Sequence, residues 1–76
     1  MITVKLYGLL RIESGIKEKQ LEAATMREVL ISLEKCGISK QDLDSCIILI
    51  NGKNGNKRSK LADGDTVVLM SPVAGG

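Results

Sequence analysis

Histidine, phenylalanine and tryptophan are absent from the 76-residue sequence, and tyrosine and proline each occur once. Without histidine, no Ser–His or Cys–His nucleophile can be assembled within the chain. The two cysteines, Cys36 and Cys46, form no CxxC pair, so neither a metal site nor a disulfide framework is supported. Reduced, buried thiols in a cytosolic setting are the expectation. Tyr7 alone is no stacking platform for single-stranded nucleic acid, and a formal net charge of +2 is too small to imply a nucleic-acid partner. No apolar run approaches the roughly 20 residues that span a bilayer, and no basic segment followed by an apolar stretch and cleavage site marks a signal peptide. The chain is therefore expected to be cytoplasmic, with no membrane or nucleic-acid partner, no bound cofactor and no metal.

What remains is a small globular pattern. A 43% apolar content is ordinary for a folded domain, and the length allows one domain, residues 1–76, with a core only just sufficient. Ile2, Val4 and Leu6 alternate with Thr3, Lys5 and Tyr7, which predicts a half-buried strand. Gly8 to Gly15 reads as a loop containing Arg11 and Glu13, and Lys17 to Ala24 as a second strand with a polar outer side suited to a sheet edge. Thr25-Met26-Arg27-Glu28 is a capping box opening a helix from Met26 to about Cys36, which stops at Gly37. Met26, Val29, Leu30 and Leu33 share one stripe of that helix, and Ile31 lies off it.

Beyond the helix, Ser39 to Asp44 is polar with Leu43 as anchor, and a short helical turn fits it. Cys46 to Ile50 is apolar on both faces, which predicts a central strand. Asn51-Gly52 is a hairpin signal leading into a polar loop with a short edge strand, Lys53 to Lys60. Thr66 to Met70 is a final strand. The fold class is α+β: a mixed four- to five-stranded sheet with one main helix packed on one face. If the first and last strands are parallel neighbours, Val67 and Leu69 face the helix. Val68 and Met70 then lie exposed on the other face as a docking patch, unless a loop covers them.

Candidate chemistry is sparse. Gly52-Lys53 fails as a phosphate loop, because Ile47 stands where its first glycine belongs and Asn54 follows the lysine. Asp63 and Asp65 read as turn-capping carboxylates rather than a catalytic pair. Lys53, Lys57, Arg58 and Lys60 form a basic cluster. It reads as a solvated loop that discourages edge pairing, or as a steering surface for an acidic partner; Arg11 could steer in the same way.

The C-terminus stands out. Asp63-Gly64 supplies a turn, Pro72 ends ladder pairing, and residues 72–76 follow as a thin tail expected to be flexible. Gly75-Gly76 reads either as a frayed end or as backbone slim enough to enter a narrow active site.

Leu61-Ala62-Asp63-Gly64-Asp65, the apolar strand, and then Pro72-Val73-Ala74-Gly75-Gly76 resemble the ending of molybdopterin synthase small subunits. These are sulfur carriers of the ubiquitin-like MoaD/ThiS superfamily, whose fold is the β-grasp. The chain departs from that pattern at Leu69, Met70 and Ser71, where members often carry aromatics and a second proline. The resemblance implies a carrier that is not catalytic on its own. An E1-like adenylating enzyme would use ATP to activate the Gly76 carboxylate, and a sulfur donor would convert the adenylate to a thiocarboxylate. The tail would then enter the molybdopterin synthase large subunit, in a heterotetramer with two small subunits. Gly76 and Gly75 would carry the chemistry, and Val68, Met70, Pro72, Val73, Ala74 and Arg11 would contact partners. A carrier for thiazole or another sulfur-containing product, and a protein modifier joined to lysines through Gly76, are the alternatives.

Overall fold

The alternation at the start of the chain becomes β1 (Ile2–Tyr7), with Ile2, Val4 and Leu6 buried and Thr3, Lys5 and Tyr7 turned away. The computed structural model describes residues 1–72. After β1 come α1 (Leu9–Ser14), β2 (Glu18–Leu21), α2 (Met26–Lys35), α3 (Lys40–Ser45), β3 (Ile47–Ile50), β4 (Lys53–Asn54) and β5 (Thr66–Met70). They form a five-stranded mixed sheet in the order β2-β1-β5-β3-β4. β1 and β5 run parallel, and the other pairings are antiparallel. Of the expected C-terminal tail, Val73, Ala74, Gly75 and Gly76 lie outside the described residues.

α2 forms where the capping residues start it and glycine ends it. The Thr25 hydroxyl accepts from the Glu28 N–H at 3.4 Å, and the Glu28 carboxylate accepts in return from the Ala24 N–H at 3.1 Å. At the other end Gly37 has φ +105°, a conformation that glycine adopts without a Cβ penalty. There the Gly37 N–H donates to Glu34 C=O and the Ile38 N–H to Leu33 C=O, the paired bonds of a Schellman stop. Leu33 and Ile38 are both buried beside this stop. Met26, Val29, Leu30 and Leu33 form the buried stripe, worth about 1.5–3 kcal/mol per side chain relative to exposure.

All three helices send side chains into one core: Leu10 from α1, the α2 stripe, and Leu43 from α3. These meet Ile2, Val4, Leu6, Ile48, Val67 and Leu69 from the sheet. One face of the sheet is thereby covered. Among the described residues, no helix is long and apolar enough to cross a membrane.

Three expectations need correction. The segment between Gly8 and Gly15 is a helix rather than a loop, held by Leu10 in the core and bounded by two glycines of positive φ. β2 covers only Glu18–Leu21. β3 is interior to the sheet, between β5 and the two-residue β4, but it is not buried on both faces: its outward residues Ile47 and Leu49 stay partly open to solvent. The stretch after Asn51-Gly52 is, as expected, a short edge strand, β4, followed by a polar loop, in which Lys60 makes one isolated bridge to Thr25.

The turns follow their sequence signals. Asn51 and Gly52 both have positive φ, as a two-residue type I′ hairpin requires. Asp65 accepts from the Ala62 N–H at 2.8 Å and from Asn51 Nδ2 at 2.9 Å. These two bonds hold its carboxyl below the ordinary value. Asn51 Oδ1 accepts from the Thr66 N–H at 3.0 Å, so a single lock ties the hairpin to the start of β5. Asp65 is thus a turn-fastening group.

Candidate functional site

Strand register decides which apolar residues share the uncovered face. Met70 stands opposite Tyr7 of β1 and Ile47 of β3, and Val68 stands opposite Lys5 and Leu49. The result is two parallel rows, Tyr7–Met70–Ile47 and Lys5–Val68–Leu49, at the end of the sheet where β5 gives way to the C-terminal segment. Val68, Met70 and Leu49 are half-buried, while Tyr7 is 41% and Ile47 40% exposed. No described loop closes over them. Val68 and Met70, expected to be exposed, do lie on the uncovered face but are only partly exposed there, as part of a wider patch. Tyr7, Ile47 and Leu49 were not anticipated in it; the alternation of β3 against β5 is the signal that picks them out.

Arg11 stands at the edge of this patch. Its Nε donates to the Leu6 C=O at 2.9 Å, and its guanidinium lies 4.7 Å over the centre of the Tyr7 ring. That cation–π contact straps α1 to the end of β1 and sets a positive charge beside the apolar rows. Pro72 is exposed just past β5. Leu9 and Ile12 of α1 are exposed as well, at 49% and 76%.

The join between α1 and β5 is tight. Ser71 Oγ accepts from the Leu9 N–H at 3.2 Å, satisfying one of the free donors at the start of α1. A Cβ added at Gly8 would lie 2.2 Å from that oxygen, and Gly8 has φ +66° and ψ −138°. Gly8→Ala therefore meets both backbone strain and a clash. It is expected to cost about 1–3 kcal/mol and to lower Tm by at least about 4 °C, measured by thermal unfolding. Ser71→Ala, which only removes one hydrogen bond, should cost about 0.5–1.5 kcal/mol. An unchanged Tm for Gly8→Ala would show that the bond to Ser71 does not anchor the exit of the chain.

The other polar residues do not gather into a reaction centre. The loop carrying Lys57, Arg58 and Lys60 packs along the start of α2, where the Met26 N–H donates to Ser59 C=O, and not beside the Tyr7–Met70–Ile47 row. Cys36 and Cys46 are unbridged and half-buried. Burial pushes the Cys46 thiol above its ordinary value, and its Sγ donates to Leu43 C=O at 3.1 Å, so it is protonated and inert at neutral pH. Cys36 Sγ accepts from Lys19 Nζ at 3.1 Å. Among the described residues, no three His, Cys, Asp or Glu side chains come together as a metal site. Gly75, Gly76, Val73 and Ala74 lie outside the described residues, so their roles rest on sequence.

The comparisons agree with this geometry. The model of the ThiS family matches residues 4–76. No curated protein matches the sequence. Among solved structures, the chain resembles the small archaeal modifier protein 1 of Methanosarcina acetivorans: 28% identity, TM-score 0.81, covering 99% of this chain and 95% of that one. It also resembles a chain of the complex of subunits 1 and 2 of molybdopterin-converting factor from Helicobacter pylori, at 26% identity and TM-score 0.71, covering 99% and 97%. A chain of the BexX/CysO complex of Amycolatopsis orientalis shares the fold at 24% identity and TM-score 0.76 over the full length of both. With a mixed β-grasp sheet, an open apolar face at the end of β5 and a family match over nearly its whole length, the chain belongs to the ThiS family, within the MoaD/ThiS superfamily of ubiquitin-like sulfur carriers.

Proposed function

We propose that the chain carries sulfur as a thiocarboxylate on Gly76 and delivers it in molybdopterin synthesis, as the small subunit of molybdopterin synthase. An E1-like enzyme joins the Gly76 carboxylate to AMP from ATP, with pyrophosphate as leaving group. A carboxylate is a poor electrophile at neutral pH, and the acyl-adenylate supplies the missing leaving group. A hydrosulfide-equivalent donor then attacks the carbonyl and AMP departs, leaving the thiocarboxylate. The bases and phosphate-binding groups come from the partners.

The observation that carries this reading is the open, mainly apolar face formed by the rows Tyr7–Met70–Ile47 and Lys5–Val68–Leu49, at the point where β5 hands over to the C-terminal segment. A partner seated there would hold the last residues at a fixed short reach from a rigid body. The subunit 1 and 2 complex from Helicobacter pylori supports such a pairing. The modifier from Methanosarcina acetivorans favours a second reading, in which Gly76 is joined to lysines.

Intact mass of the protein purified from a sulfur-replete host separates the two. The carrier reading expects a chain ending at Gly76 with one oxygen exchanged for sulfur. High-mass lysine-linked adducts without that exchange would replace it with the modifier. A chain that extends past Gly76, or stops short of it, would overturn both. Co-purification of a thiazole synthase instead of a molybdopterin synthase large subunit would retain the carrier chemistry and change the pathway.

A further inference from the structure

On the covered side of the sheet, α2 and α3 leave an open groove of about 410 Å³ between them. Its floor is Leu30 and Leu43, and one wall is Ile31, which is 50% exposed although it belongs to the main helix. Ile31 thus adds open aliphatic surface to a groove whose floor shows only the edges of two core leucines.

The rim is charged, and one sign prevails. Arg27, Lys40 and Lys57 stand around the groove with Glu34 and Asp44. Asp44 is engaged: the Lys57 ammonium hydrogen-bonds its carboxylate and holds its pKa below the ordinary value. Arg58 joins Arg27 and Lys57 around an adjoining smaller hollow. Four cations thus face two carboxylates across the combined rim.

We infer that this groove docks an acidic amphipathic segment of a partner protein, with its apolar side chains against Ile31 and the exposed edges of Leu30 and Leu43, and its carboxylates against Arg27, Lys40 and Arg58. Charge complementarity selects this occupant. A second copy docked groove to groove would bring the same excess of cations into a symmetric contact. A nucleic acid would find an aliphatic floor with no aromatic ring to stack on and two carboxylates in its path. The groove lies on the helix side of the sheet, and the Tyr7–Met70–Ile47 row on the opposite side. One protein could therefore hold the body while another works on the C-terminal segment. The inference does not depend on sulfur chemistry, because no residue of the groove belongs to the open face.

The probe is a synthetic helical peptide with leucines spaced at i, i+4 and i+7 and glutamates elsewhere, titrated into the isotope-labelled protein and followed by amide NMR. Saturable shifts are expected at Arg27, Ile31, Lys40 and Lys57, with Lys5, Val68 and Met70 unmoved. Affinity should fall at raised salt. Ile31→Glu and Arg27→Glu, both at exposed positions, should each weaken binding by about ten-fold or more while leaving Tm unchanged. Absence of saturable binding, shifts on the open sheet face, or equal affinity for a lysine version of the peptide would each overturn the proposal. So would tighter binding of a single-stranded oligonucleotide.

Discussion

Deleting Gly76 is expected to abolish sulfur loading while leaving the folded body unchanged. The deletion moves the terminal carboxylate back by about 3.5 Å, one extended residue. In a positioned reaction a misplacement of about 1 Å can cost on the order of 100-fold, so loading should fall at least that far. The measurement is thiocarboxylate formation by intact mass, with the adenylating enzyme, ATP and a sulfur donor supplied. Stability should hardly respond, because every buried side chain of the described core lies at or before Leu69 and the last described tie of the chain to α1 is Ser71. A change away from such features stays within about 0.5 kcal/mol, or about 4 °C in Tm at this size. Gly76→Ala separates reach from bulk: it restores the length and adds only a Cβ. Loading of the deleted chain at the native rate would remove Gly76 from the mechanism. A collapse of Tm would show that the end of the chain is part of the fold.

Much of this body could be read from local signals, because those signals are themselves local physics. The alternation of Ile2, Val4 and Leu6 gave β1 to the residue, and Thr25, Glu28 and Gly37 bounded α2 to within one. Asn51-Gly52 marked its hairpin through the positive φ both residues adopt. α1 was not legible. Six residues are too few to display a helical period, and Gly8 and Gly15 look like loop punctuation. What makes the segment helical comes from elsewhere: Leu10 enters a core built by other elements, and Ser71, 62 positions away, caps the Leu9 N–H. The open apolar face was half legible for a related reason. Val68 and Met70 follow from alternation within β5, but Tyr7, Ile47 and Leu49 join them only through the β1–β5–β3 register. Cys46 to Ile50 is apolar throughout, so composition could not say which of its faces meets solvent. The roles given to Gly75 and Gly76 come from likeness to a family, since two glycines have no side chains with which to declare a chemistry.

The alternation along β5 also sets up a contrast between adjacent residues. Val68→Asp is expected to weaken binding of the native partner by at least about 30-fold, whereas Leu69→Asp is expected to prevent folding. Leu69 is fully buried, at 0% exposure, within the helix-covered core. A carboxylate there would have no partner, and leaving a buried charge uncompensated costs about 3–5 kcal/mol. A chain of 76 residues has only about 4–11 kcal/mol of stability in total at the usual value per residue, so that cost, added to about 2–5 kcal/mol for the lost burial of the leucine side chain, removes most or all of it. Val68 points the other way. It is half-buried on the open face beside Lys5, where an introduced carboxylate keeps access to water and gains a cation as neighbour. The folding cost should be about 1 kcal/mol or less. Against a docked partner, the same carboxylate would be desolvated among Leu49, Met70 and the partner's own apolar surface. A central interface residue of this kind typically costs 2 kcal/mol or more, which is about 30-fold in Kd. Met70→Asp, between Tyr7 and Ile47, should behave like Val68→Asp. Circular dichroism and thermal unfolding check the folding half, and titration calorimetry with the native partner checks the binding half. If Val68→Asp and Met70→Asp both bind as the native chain does, the open face is not where the partner sits. If Leu69→Asp folds with an unchanged Tm, the register of β5 between β1 and β3 is wrong.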